Sequence, residues 1–260
     1  MGSELHGVDI SVHNGKVDFE KLSHAVDFVM VRGGYSTQTD INFLANAKGC
    51  EQYKIPYGVY WFSYAKNKED AVEEAAKCLA VIGENKLSPI YPIAYDYEYD
   101  SLAFANKLGL KLSAREIESF AISFLEHIRL NGRTPMLYTN VDFYNRYYKG
   151  IANSYLLWLA QWEVFKPSIK CQMWQSTSTK KINGIKGSVD YNTWYKNEET
   201  TEEKNKKQGL IDKYWNKYYR VANEIIGGKY GVGAERKKLL KENGYDAEFA
   251  QAVVNYILYG

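Results

Sequence analysis

The chain has 260 residues, is 45% hydrophobic and 25% charged, and carries a net charge of +2 at pH 7. That suits a soluble globular protein with room for one large domain and a small one. No window approaches the apolar run needed to cross a bilayer, so a membrane-spanning protein is excluded. Cys50, Cys78 and Cys171 are widely spaced and form no CxxC pair, so they read as buried thiols of a protein made in a reducing compartment. The four histidines, His6, His13, His24 and His127, show no HExxH or clustered spacing. A zinc site is therefore not expected, and no cofactor motif is present. Met1 to Gly7 lacks a basic region followed by an apolar stretch, so no signal peptide is expected and synthesis begins in the cytoplasm.

In chain order, Gly7-Val-Asp-Ile-Ser11 starts a short strand, and Phe28 to Gly34 is a β-type run closed by glycines. Tyr57 to Tyr64 reads as the next strand. The segment from Glu69 to Ile82 has helical spacing, with Ala71, Ala75, Cys78, Leu79 and Ile82 on one face. Pro89 to Glu98 is a third long strand. Ser113-Ala-Arg-Glu116 makes a capping box for a helix whose Ile117, Phe120, Ala121, Phe124, Leu125 and Ile128 follow at core spacing until Asn131-Gly132. Met136 to Thr139, Leu156 to Gln161 and Gln172 to Gln175 supply later strands, and Asp190 lies beyond them in Ser188 to Asn192. The βαβα rhythm points to a parallel α/β sheet or barrel, in which chemistry gathers at the C-terminal strand ends. The later strands lie closer together, so helices are expected to drop out near the end.

Residues 196–207 are polar throughout and read as a linker between a domain over 1–195 and a second over 208–260. Acidic and basic residues balance before the linker, and the basic surplus lies after it. There, Leu210 to Ile226, Ala234 to Asn243 and Ala247 to Leu258 each have helical periodicity. Gly227-Gly228 and Gly244 act as stops, and Asp246 caps the last helix, which predicts a small three-helix unit. Its surplus charge fits a solvated surface equally well, and no nucleic-acid recognition motif accompanies it.

Asp96 and Glu98 are the pair that points to chemistry. Period-two alternation puts both on one face of a strand, roughly 6–7 Å apart along the backbone. Held so close they do not both ionise freely, and one stays protonated near neutral pH. Tyr95, Tyr97 and Tyr99 point to the opposite face. Two acids ending a strand that contains Pro89, Ile90, Pro92, Ile93 and Ala94 are costly without a purpose, whereas an exposed edge strand would carry them freely. Glycosidic hydrolysis needs such a pair, one group to protonate the leaving oxygen and one to manage the cationic anomeric centre. Asp9 and Asp190 alone are weaker signals, since an isolated Asp more often caps a turn. The 23 Tyr and 6 Trp suit stacking on sugar rings, although such rings also fill cores.

Taken together, Gly7-Val-Asp9-Ile-Ser11, Asp96-Tyr-Glu98, Leu157-Trp-Leu-Ala-Gln-Trp162, Trp174-Gln175 and Val189-Asp190-Tyr-Asn192 resemble the family 25 muramidases, the lysozymes of many phage lysins and bacterial autolysins. The likeness covers nearly all of residues 5–195. It implies an irregular (β/α) barrel with an acidic groove, Glu98 as general acid, and Asp9, Asp96 and Asp190 as the other groove acids. It implies cleavage of the β-1,4 bond after N-acetylmuramic acid in peptidoglycan, with the substrate's own acetamido group or a water as nucleophile. Tyr60, Tyr64, Tyr138, Trp162 and Trp174 fall where the family lines its groove with rings. The chain departs from many relatives at Arg32-Gly33-Gly34-Tyr35, where they carry an acid.

Residues from Val221 to Asp246 resemble one copy of the helical wall-binding repeat of some pneumococcal-phage lysozymes. That likeness makes Lys229, Tyr230, Arg236, Tyr245 and Asp246 candidate wall-ligand contacts. A single copy gains little avidity unless the chain self-associates or the groove adds a contact. The expected protein is then a phage or prophage endolysin, held in the cytoplasm until released to the wall. A chitinase-like hydrolase is the rival among enzymes, but Ser88 to Glu98 contains no DxxDxDxE pattern. A sugar-binding barrel without catalysis is the rival of another class, and the four acids speak against it.

Overall fold

Val8 and Ile10, then Val29 and Val31, recur at every second position of the first two long strands, and the residues between them, Asp9 and Met30, are buried as well. The computed structural model describes residues 4–195 and 217–259. Through the first of these stretches run β1 (Glu4–Ile10), α1 (Phe19–Ser23), β2 (Phe28–Tyr35), β3 (Gln38–Thr39), α2 (Phe43–Gln52), β4 (Tyr57–Phe62) and α3 (Lys68–Glu84). They are followed by β5 (Ile93–Asp96), α4 (Tyr99–Lys107), α5 (Ala114–Leu130), β6 (Pro135–Asn140), α6 (Val141–Phe143), β7 (Leu156–Ala160), β8 (Met173–Lys180) and β9 (Val189–Tyr195). Strands β1, β2, β4, β5, β6, β7 and β8 are parallel neighbours in that order. β9 closes the ring, antiparallel to both β8 and β1. Eight strands therefore form a closed barrel, with β3 a short antiparallel addition to β2. This is the irregular (β/α) barrel that the family resemblance implied, and it settles the choice between sheet and barrel that the βαβα rhythm left open.

The barrel interior and the layer outside it are separate cores. Phe28, Met30, Met136, Trp158 and Met173 fill the interior, away from the C-terminal strand ends. Gly7 is required there, because a Cβ on it would lie 2.5 Å from the Phe28 carbonyl oxygen. The alternate residues Val29, Val31, Val59, Leu137, Leu157 and Leu159 face the helices. In α5 every residue of the expected core face is buried, from Ile117 to Ile128. Each large apolar side chain so covered contributes about 1.5–3 kcal/mol. The Ser113 box forms as expected, with Glu116 N–H donating to Ser113 Oγ at 3.3 Å and Ser113 N–H to Glu116 Oε2 at 2.8 Å.

Two sequence expectations are corrected. The long strand from Pro89 to Glu98 shortens to Ile93–Asp96, because Glu98 already opens α4. Tyr99 consequently lies in that helix, exposed, with its hydroxyl donating to Asp142 at 2.8 Å, and does not share a strand face with Tyr95 and Tyr97.

The chain divides into two units, Met1–Asn197 and Glu198–Gly260. The linker over 196–207 and the start of the expected helix at Leu210 lie outside the described residues. Within the second unit α7 is described over 217–226, followed by α8 (Gly233–Glu242) and α9 (Ala247–Tyr259). Asp246 caps α9 by accepting from Glu248 N–H at 3.0 Å and Phe249 N–H at 2.9 Å. Among the described residues no helix is long and apolar enough to cross a membrane.

Candidate active site

Strand direction brings the four acids to one end of the barrel. Asp9 lies near the C-terminal end of β1, and Asp96 ends β5. Because β9 runs backwards, its first residues lie at that same end, and Asp190 pairs directly with Asp9. Glu98 follows two residues after Asp96 on backbone that is still extended (φ −129°, ψ −166°), so alternation keeps both carboxyls on the interior side. Asp9 and Asp96 are buried, while Glu98 and Asp190 are half-buried.

The polar network around Asp9 fixes which oxygen does what. The Trp158 indole N–H donates to Asn192 Oδ1 at 2.8 Å, which turns Asn192 Nδ2 toward Asp9 Oδ2, also at 2.8 Å. Tyr138 O–H and Trp162 N–H point at Gln175 Oε1, at 3.2 and 3.3 Å, and so turn Gln175 Nε2 to the same Asp9 oxygen at 3.0 Å. With Oδ2 accepting twice, any proton on Asp9 sits on Oδ1. Burial first, then the Asp190 charge, pushes Asp9 up to about 8.

Asp96 and Glu98 form the second pair. Burial pushes Asp96 well above the carboxylate range, and Glu98 beside it adds to the rise. Glu98 is also raised by burial, with the neighbouring Asp96 and Tyr138 acting in the opposite direction. Asp96 Oδ1 is buried without a hydrogen-bond partner. Both carboxyls are thus biased toward their protonated forms, and their titration belongs to the pair together. Asp9 and Arg32 act on Asp96, and Asp190 acts on Glu98, so all four acids share one field.

Aromatic rings form the floor. Trp158 is covered edge-on by Tyr138, with centroids 4.7 Å apart, and by Tyr60 at 5.9 Å. Trp162 stands 48% exposed at the rim. Tyr64 packs against Phe62 and Phe104, both at 5.2 Å, on the side of α4. Trp174 differs from expectation. It points out of β8 on the face opposite Gln175, packs in the outer core and donates to Gln161 O at 2.7 Å. The sequence reading chose that ring for the site and gave Gln175 and Asn192 only as landmarks of the resemblance, although alternation along β8 and β9 puts both on the interior face with Asp190. It also passed over Asp40, buried, which accepts from Arg32 Nε at 2.7 Å and so supplies a carboxylate in the segment where the acid was missed.

Asp9 carries a stability prediction. A carboxyl raised in the folded state stabilises the fold below its unfolded pKa, near 4, and loses that contribution as pH rises through the folded value, about 8. Asp9→Asn removes the charge and keeps an oxygen for Gln175 and Asn192. The variant should be more stable than the parent by roughly 1–3 kcal/mol at pH 8 and equal to it near pH 4. Urea unfolding at both pH values measures this, and a variant less stable at pH 8 contradicts it.

In the second unit, several expected wall-ligand contacts already serve the fold. Arg236 donates to Gly231 O and Gln251 Oε1, both at 2.9 Å, and Asp246 is the α9 cap. Tyr230 is buried, with its hydroxyl on Glu224 at 3.1 Å, and Lys229 pairs with that carboxylate at 2.9 Å. Tyr245 is half-buried against Tyr218, with Lys217 Nζ 4.9 Å from its ring centroid.

Carboxyls raised by burial, over an aromatic floor at the C-terminal end of a barrel, have the make-up of a site that hydrolyses glycosidic bonds. The family model Glycosyl hydrolases family 25 matches residues 8–185, and that of the CW_7 repeat matches residues 220–258. The uncharacterized protein YegX of Escherichia coli O157:H7 is 30% identical over 206 residues, covering 75% of this chain and 71% of its own. The autolytic lysozyme of Clostridium acetobutylicum is 25% identical over 190 residues, covering 72% of this chain and 54% of that protein. The modular autolysin LytC of Streptococcus pneumoniae, solved in complex with a synthetic peptidoglycan ligand, matches with a TM-score of 0.66 at 27% identity. That match covers 75% of this chain and 48% of LytC, so the chain spans about half the autolysin's length. The chain belongs to family 25 of the glycosyl hydrolases: it is a glycoside hydrolase of the lysozyme class, a peptidoglycan hydrolase, with a CW_7 repeat in its second unit.

Proposed function

We propose that the enzyme is an N-acetylmuramidase, cutting the β-1,4 bond between N-acetylmuramic acid and N-acetylglucosamine. The observation that carries this reading is the Asp96–Glu98 pair at the C-terminal end of β5, one carboxyl buried and the other half-buried, both raised by burial. Glu98, half-exposed to the groove, delivers its proton to the leaving oxygen. Asp96, with a free oxygen facing inward, then stands as an anion beside the sugar. There it orients the substrate's acetamido group for attack on the anomeric carbon, or positions a water for the same step. Asp190, beside an Asp9 that burial holds in its protonated form, supplies the remaining negative field for the oxocarbenium-like transition state, and Tyr60 and Tyr138 form the ring surface beneath it. The second unit anchors the enzyme to the wall, with Lys229, Tyr245 and neighbouring groups as its contacts. A phage or prophage endolysin fits this pairing of a barrel with a wall-binding repeat.

Digestion of purified Gram-positive walls followed by mass analysis of the fragments tests the bond assignment. New reducing ends on N-acetylmuramic acid are expected. Reducing N-acetylglucosamine ends, or cleaved peptide bonds, refute it.

A further inference from the structure

Asp96 and Glu98 sit on one short stretch, yet their separation is held from the neighbouring strand. Ser63 follows β4 and is fully buried. Its amide donates to the Asp96 carbonyl at 2.7 Å. Its own carbonyl accepts from Ser101 Oγ at 2.7 Å, and that same Oγ accepts from Glu98 N–H at 3.1 Å. The backbones of the two acids are thereby joined through Ser63 and Ser101 by three consecutive hydrogen bonds. Ser63 is braced in turn: its hydroxyl accepts from Ala65 N–H at 3.2 Å, and Tyr64 N–H donates to Glu74 Oε1 at 2.9 Å. Glu74 is 2% exposed on α3, and Ser101 is 1% exposed in the first turn of α4.

We propose that Ser101, held by Ser63, is a positioning residue that sets how close the Glu98 carboxyl stands to Asp96. The inference rests on the proposed role of Glu98. A serine that only steadied a helix start would serve that helix alone, as surface caps do. Here the hydroxyl bridges the acid's amide to a carbonyl on another strand, in a place water does not reach. Deleting it leaves the Ser63 carbonyl and the Glu98 amide without their partner, and the half-exposed Glu98 is free to turn toward solvent. Its surroundings are Asp96 on β5, Tyr138 on β6, Asp100 on α4 and Asp190 on β9, while Asp96 faces Asp9 and Arg32. Of these, Asp96 is the neighbour whose distance Ser101 governs. Moving Glu98 outward weakens the repulsion that keeps the last proton on the pair.

The test uses the full chain on a suspension of purified walls, comparing wild type, Ser101→Ala, Ser101→Thr and Glu98→Gln. Ser101→Ala should lower kcat about tenfold or more, with apparent KM within about twofold, since a displaced reacting group costs rate and not binding. The alkaline limb of its kcat–pH profile should move about half a pH unit lower. Ser101→Thr, which keeps the hydroxyl, should restore both. A lowered melting temperature with wild-type kcat and pH profile overturns the proposal. Should Ser101→Ala not fold, Ser101→Cys carries the same comparison, because it leaves no void and replaces the hydroxyl by a weaker donor. Undiminished lysis by Glu98→Gln defeats the acid assignment itself; an inactive Glu98→Gln beside a wild-type Ser101→Ala defeats only the role of Ser101.

Discussion

Glu98→Gln is expected to abolish wall lysis, lowering kcat by about 10³-fold or more while leaving the fold intact. Glutamine keeps the shape of the side chain and the Glu98 amide bond to Ser101, so α4 starts as before. It has no proton of suitable acidity to give, and the leaving sugar oxygen must depart as an alkoxide. Burial already disfavours the ionised Glu98, so losing the charge costs no stability. Melting temperature should be unchanged or slightly higher at pH 7. Turbidity loss of a wall suspension and a thermal melt on the same sample check both halves. Lysis at the parental rate would falsify the assignment of Glu98 as the acid.

Asp96→Asn should be nearly as damaging, with a kcat loss of about 10²-fold or more, and it has a second signature. In the parent, the final proton leaves the pair only when two carboxylates become charged side by side. In the variant an uncharged amide stands beside Glu98 and that repulsion is gone, so the alkaline limb of the kcat profile moves to lower pH. An unshifted limb contradicts the coupling of the two carboxyls even if activity falls. The anomeric configuration of the parent enzyme's product separates the two nucleophiles. Retention supports participation by the acetamido group held by Asp96, and inversion supports a water directed by it.

Much of this site was legible because alternation is a robust signal. Asp96 and Glu98 share a side even though β5 ends at Asp96, since the backbone stays extended through Glu98. The α5 face was equally plain, as six apolar residues at helical spacing behind a Ser-x-x-Glu box leave little choice. The helix α4 was hidden, because Glu98 belongs at once to the strand's alternation and to the helix start. The face of Trp174 was misjudged for a different reason. Ring chemistry suggested a groove residue, while alternation from Gln175 puts it outside, and packing against the outer core decides the matter. The direction of β9 follows from distance alone. Residues 181–188 are too few to cross over the barrel and return, so the strand must turn back.

β1 and β9 are the first and last strands of the barrel in sequence, yet they lie side by side. Pairings so far apart along the chain form late, because the entropy of closing the intervening loop must be met before they yield any free energy. While the chain is being synthesised, Asp9 has neither Gln175 nor Asn192 on its carboxylate and no Asp190 opposite. A chain ending before β9 lacks Asp190 and Asn192, and so lacks the full set of acids.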